Sequence, residues 1–298
     1  MPPETPSLES ARWLIGAWLF VFGGVIGSFL NVVIYRLPAG MSLIEPGSHC
    51  PACKKPVRWF DNLPILGWIV LRGRCRDCGA KISPRYPVVE AITAALFLVL
   101  GWVECLGGGA NLPLRPIELA GEVVFPSRIP GELWGIYAYQ LLLLCTLLVA
   151  ALIDYDGHQV PRRLILPGLL VGFAAPLSWP DLRPVPAVPG LDGWLAGLVD
   201  GTAGLAAGLV VGLLAWRLMG RKQPWETILG PALVGLFLGW QAAVGVMLVT
   251  GALGLLWLFW ARCCPEVRRL PQTIWLALAA LAWILGWARL AAGWPFLS

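Results

Sequence analysis

Four cysteines in two pairs carry the clearest chemistry of this chain. Cys50 and Cys53 lie in HCPACKKP, Cys75 and Cys78 lie in RCRDCGAK, and 21 residues separate the pairs. Two CxxC pairs at this spacing suit the four thiolates of a tetrahedral structural Zn²⁺ site. In such a site all four positions belong to the protein, so none is left open for a reacting molecule. The polar context and Gly79 after the second pair also fit a zinc ribbon, whose expected work is to organise the loop that carries it. The other cysteines, Cys105, Cys145, Cys263 and Cys264, read as small buried apolar residues.

The elements that must hold this ribbon are membrane spans. Of the 298 residues, 58% are hydrophobic and only 13% are charged, against roughly 25% charged in soluble domains. The 17 Trp and 35 Gly suit interfacial aromatics and close helix contacts. Eight apolar segments can be read, at 13–35, 86–104, 133–153, 164–179, 194–216, 228–243, 245–260 and 273–294. Most approach the ~20 residues that cross a bilayer. The boundary between the sixth and seventh falls in LGWQAAVG, which offers only a short turn. Of the 22 Lys and Arg, 17 fall in 36–85, 154–163, 217–227 and 261–272, all on one side of this topology. The positive-inside bias therefore predicts a cytoplasmic ribbon loop and both termini outside. The net charge of +5 follows from topology and calls for no nucleic-acid partner. Cytoplasmic thiols stay reduced and available to metal. The expected fold is an all-α polytopic membrane protein of about eight transmembrane helices with a small cytoplasmic four-cysteine zinc-ribbon insertion.

Three stretches, GSFLNVVIYRLP at 27–38, WFDNLPILGWIVLRGRCRDCG at 59–79 and ISPRYPVVEAITAALF at 82–97, frame the cysteines. With them the chain strongly resembles the bacterial prepilin peptidases, also called type IV leader peptidases. The likeness is nearly continuous from Gly27 to Phe97, resumes at 150–168 and returns at GWQ, 239–241. It implies a multi-pass protein of the bacterial inner membrane that cleaves leaders from type IV prepilins or type II secretion pseudopilins. Many members then N-methylate the new N-terminus with S-adenosylmethionine. Gly27, Ser28 and Asn31 share one face of the first helix, and an unpaired Asn31 amide in hydrocarbon would be costly. Glu90 matches a glutamate of the family pattern and reads equally as an anchor at the membrane interface.

The resemblance also implies two catalytic aspartates. One carboxylate must be ionised to activate water while its neighbour is protonated to donate to the scissile carbonyl. Two close carboxyls share a proton and supply that asymmetry. LIDYDGHQVP at 152–161 resembles the first aspartate motif, with Asp154 as the matching acid and Asp156 in reserve. Asp154 lies at a helix C-terminus, where an anion opposes the macrodipole. The family's following Leu-Pro-Asp is Val160-Pro161-Arg162 here. The second motif, Gly-x-Gly-Asp-x-Lys, is missing, since the chain reads MGRKQPWETILGPALVGLFLGWQ at 219–241. Glu226 is the one acid in that loop and the candidate replacement. Pro224-Trp225-Glu226 reads equally as a helix start, with proline first and an acid favoured by the dipole. Asp200 enters from the outer side and is a poor substitute.

The expected organisation is a methylase-like region over 1–104 that includes the zinc loop at 36–85, an extracytoplasmic loop at 105–132, and an aspartic-peptidase-like membrane region over 133–298. The expected partners are prepilins or pseudopilins and the lipid bilayer. The expected groups are structural Zn²⁺ and, where methylation is kept, S-adenosylmethionine. The altered second motif supports a rival expectation, a protease-inactive member acting as an N-methyltransferase or pilin-binding scaffold.

Overall fold

The computed structural model describes residues 8–113, 129–188, 190–219, 224–263 and 270–292, without the side chains of residues 8, 219, 224–226, 291 and 292. Cys264, most of the loop at 105–132 and the Glu226 side chain thus lie outside what is described. The described residues are helical apart from turns and two isolated β-bridges. They fall into two compact units, one running through Trp102 and one from Val103 onward. Among the described residues, six helices are long and apolar enough to span a membrane. The chain is a multi-pass membrane protein.

In the first unit α1 (Leu8–Arg36) lies antiparallel to α3 (Arg85–Gly101). Glycines set their approach. A Cβ on Gly23 would lie 2.7 Å from Phe97 Cβ, and one on Gly27 would lie 2.8 Å from the Glu90 Cα. Without a hydrophobic drive between helices in lipid, such small-residue contacts supply the packing. Between these helices come the cysteine loop, a 3₁₀ turn (Trp59–Asn62) and the short α2 (Leu66–Val70).

The second unit contains α4 (Gly131–Tyr155), α5 (Arg162–Ser178), α6 (Gly193–Met219), α7 (Pro224–Leu238), α8 (Trp240–Cys263) and α9 (Gln272–Ala292). With α1 and α3 these answer the eight apolar segments, but α5 and α7 are only 17 and 15 residues long. The boundary expected near residue 244 falls earlier, at Gly239. There φ is +91°, a conformation open to glycine, and the helical direction changes before Trp240. Gly204 and Gly208 of α6 meet the backbone at Gly235 and Pro231 of α7, so these two helices touch main chain to main chain.

A buried cation ties three of these helices together. Pro176 has no N–H to give the Gly172 carbonyl one turn back, which frees that oxygen. Tyr139 Oη donates to it at 2.7 Å and Arg183 Nη2 at 2.9 Å. Arg183 also donates to Leu236 O on α7 and Gly197 O on α6, both at 2.8 Å.

Replacing Gly208 by Leu should therefore force α6 and α7 apart and cost at least about 2 kcal/mol. Thermal unfolding in detergent should show a clear fall in Tm for Gly208→Leu. Gly254→Leu, where a Cβ meets nothing within 4 Å, should match the parent protein.

Candidate functional site

The four cysteines of the loop converge. Their Sγ atoms all lie within 4.8 Å of one another, with Cys50 and Cys78 at 3.8 Å. For Zn–S bonds of ~2.3 Å, the edges of a tetrahedron are about 3.8 Å, so the donor set fits one metal ion. The two knuckles are built alike. In the first, Cys50 N–H donates to Lys55 O and Lys54 N–H to Cys50 O. In the second, Cys75 N–H donates to Ala80 O and Gly79 N–H to Cys75 O. The residue after the second cysteine has positive φ in both, +60° at Lys54 and +70° at Gly79. Glycine takes that conformation freely, whereas Lys54 adopts it at a cost. Lys55 and Arg58 approach Asp77 at 3.5 and 3.7 Å and link the knuckles.

Four thiols this close cannot all ionise without a cation between them. The backbone N–H groups of Cys53 and Ala52 bring Cys50 down to about 6. At Cys78 the Ala80 N–H also favours the thiolate. Desolvation and the neighbouring thiols of Cys75, Cys53 and Cys50 outweigh it and push Cys78 up to about 11.

A polar cluster sits beside the metal loop within the same unit. Asn31 Nδ2 donates to Tyr86 O at 3.1 Å, the partner that its place in a membrane helix required. Glu90 is buried and is no exposed anchor. Its Oε2 accepts the Ile65 N–H at 2.7 Å, and Ser28 also bonds to it. Ile65 has φ of +63°, an unusual conformation for a β-branched residue, and the Glu90 carboxylate holds it there. Arg36 folds back onto Ser42 O and Pro46 O, so it ties down the chain that leaves α1.

Asp154 stands one residue before the end of α4, half-buried. The turn after it closes at Gly157, with φ of +81° and its N–H on Asp154 O. Thr273 Oγ1 donates to Asp154 Oδ2 at 2.7 Å. Thr273 is the second residue of α9, so the positive start of α9 faces the carboxylate and offsets the unfavourable end of α4. Thr273 also lines a small apolar cavity with Ala150, Val160, Gly230, Leu233 and Leu276. Gly230 of α7 lies against Leu276 of α9. Glu226, one turn before Gly230, therefore begins α7 at the end of the bundle where α4 stops and α9 starts. Asp200 is elsewhere. It accepts the Ala187 N–H near the start of α6, while the other end of that helix meets Thr227 at Gly212.

Sequence reasoning missed Thr273 and Arg183. Pro271-Gln272-Thr273 signals a helix start, but nothing in it tells which acid, 119 residues away, the hydroxyl meets.

Comparison with known proteins places these features. Residues 21–103 match the bacterial peptidase A24 N-terminal domain. Over 255 residues the chain is 34% identical to the prepilin leader peptidase/N-methyltransferase of Klebsiella pneumoniae, covering 83% of this chain and 94% of that protein. The chain belongs to the prepilin leader peptidase/N-methyltransferase family. The Aeromonas salmonicida member is 31% identical over 307 residues, 91% of each chain. The Myxococcus xanthus member is 33% identical over 247 residues, 81% of this chain, which spans 61% of that longer protein. No solved structure matches. The match to the family's N-terminal domain contains the whole cysteine loop and Glu90, and Asp154 lies beyond it.

The converging thiols predict protection by metal. With metal bound, Cys50 and Cys78 should be alkylated at least about tenfold more slowly at pH 7 than in metal-stripped protein, since the free, accessible thiolate is the nucleophile. Peptide mass spectrometry after timed iodoacetamide treatment reads the two sites.

Proposed function

We propose that this chain is a membrane aspartic endopeptidase that removes the leaders of type IV prepilins or type II secretion pseudopilins. It would work in the bacterial inner membrane, with the cysteine loop on the cytoplasmic side. Similarity to named prepilin leader peptidases over most of the chain carries the reading. Asp154 is one catalytic acid and Glu226 the other. Their support is placement: α4 ends, and α7 and α9 begin, around the same small cavity. One carboxylate takes a proton from the attacking water. The other gives a proton to the scissile carbonyl oxygen, and the proton taken from water leaves with the amine. Thr273 orients Asp154 through its 2.7 Å hydrogen bond. A glutamate in place of an aspartate extends the carboxyl by more than ~1 Å, which α7 must absorb, because a misplacement of that size costs ~100-fold in rate.

The metal is Zn²⁺ held by Cys50, Cys53, Cys75 and Cys78, with a structural role. Four thiolates leave no open position, and the ion supplies a cross-link for the loop. S-adenosylmethionine would serve the methyltransferase activity in the family name. The small apolar cavity lined by Thr273 does not suit its charged amino-acid and ribose groups and is not the methyl donor's site.

Cleavage of a matched prepilin by the full chain in vesicles tests the acids. Asp154→Asn and Glu226→Gln should each lower the rate at least about 100-fold, and Thr273→Val about tenfold. Normal cleavage by Asp154→Asn would remove the aspartic mechanism. Normal cleavage by Glu226→Gln alone would move the second acid elsewhere. For the metal, purified protein should carry about one zinc per chain, and a Cys50→Ser/Cys75→Ser variant none.

A further inference from the structure

The segment from Trp59 to Leu71 lies between the first two spans, but it does not stay at their ends. A Cβ on Gly24 of α1 would lie 3.2 Å from Pro64 Cβ. Gly24 is 12 residues before Arg36, which puts Pro64 about 18 Å down the helix from that end at 1.5 Å per residue. The Ile65 N–H reaches the buried Glu90, five residues and so about 8 Å into α3, which puts the turn below that end as well. We propose that residues 59–71 form a re-entrant hairpin that enters the bilayer from the Arg36 end and meets lipid hydrocarbon with its outer face.

Three observations support lipid as the occupant. First, the outer face of the tip is apolar and uncovered. Leu66, Ile69 and Val70 are 59%, 56% and 70% exposed, which water would penalise and hydrocarbon would not. Second, the tip turns its backbone bonds inward, as a chain at that depth requires. Gly67 N–H donates to Leu63 O, Ile69 N–H to Ile65 O, Leu71 N–H to Gly67 O and Gly73 N–H to Trp68 O. At the turn itself, the Ile65 N–H is taken by the Glu90 carboxylate. Third, the charges stand at the hairpin's entry and exit. Arg58 precedes the apolar run, and Arg72 and Arg74 follow it, as snorkelling anchors for anionic headgroups. The one acid inside the run, Asp61, is neutralised by a bidentate pair from Arg76, with Nε at 2.8 Å and Nη2 at 2.5 Å. That pair also fastens the hairpin to the second knuckle.

The metal loop is thereby fixed to the bilayer at a third point besides α1 and α3. This inference rests on the membrane seating of α1 and α3 and is independent of peptidase activity.

Photo-crosslinking of the full chain tests it. p-Benzoylphenylalanine is placed singly at Leu66, Ile69 and, as the aqueous control on the second knuckle, Lys81. The purified proteins are returned to phosphatidylethanolamine/phosphatidylglycerol vesicles and irradiated. Phospholipid adducts read by intact mass should be at least fivefold more abundant at positions 66 and 69 than at 81. Equal or lower lipid labelling at 66 and 69, or capture there of a second protein or another part of this chain in place of lipid, would overturn the proposal.

Discussion

The guanidinium of Arg183 holds three helices by their main-chain carbonyls, and the second unit is arranged around that hold. A buried cation is costly unless every donor is used, and here carbonyls of α5, α6 and α7 supply the acceptors. The clasp exists because Pro176 vacates the Gly172 oxygen in the middle of α5. Once α6 and α7 are fixed, their glycines bring backbone against backbone down to Gly212 and Ile228. The start of α7 is therefore positioned by contacts spread along the whole helix from the Arg183 clasp. That start carries Glu226, proposed here as the second acid.

The same economy of polar groups shapes the first unit. Asn31, Ser28 and Glu90 are costly at membrane depth, and each is engaged. Glu90 accepts the Ile65 N–H at the tight turn after Pro64, and Ser28 bonds to it as well. A strained Ile65 and a buried carboxylate stabilise each other, so neither is fully explained alone. The Arg76–Asp61 pair passes this constraint on to the cysteine knuckles. Metal loop and hairpin are one mechanical piece.

Much of this was legible in the residues and their spacing. The cysteines, the apolar segments and the need of Asn31 for a partner are local patterns, and the fold agrees with each. The hairpin was not legible because WFDNLPILGWIVL is too short for a span and resembles a polar loop broken by an apolar patch. Its depth shows in the packing of Pro64 on Gly24 and the bond from Ile65 to Glu90. The helix break at Gly239 was misplaced by a few residues, since a single left-handed glycine leaves no mark in an apolar run. Thr273 and Arg183 act across 119 and up to 53 residues of sequence, and no periodicity encodes such partners.

The placement of Asp154 follows from these constraints. A carboxylate at the last turn of α4 is opposed by that helix's own dipole and would gain by moving into water. The start of α9 opposes that field and holds the group through the Thr273 hydroxyl, which itself lines an apolar cavity. A helix beginning beside it is thus the condition for holding an acid there at all. With α7 also beginning at this end, a second acid in its first turn would stand in the same kind of field. Helix starts are the places in a membrane bundle where two carboxyls can be held close without either being expelled. Where the second motif that the resemblance implies is absent, Glu226 in the first turn of α7 is the acid proposed to meet this requirement.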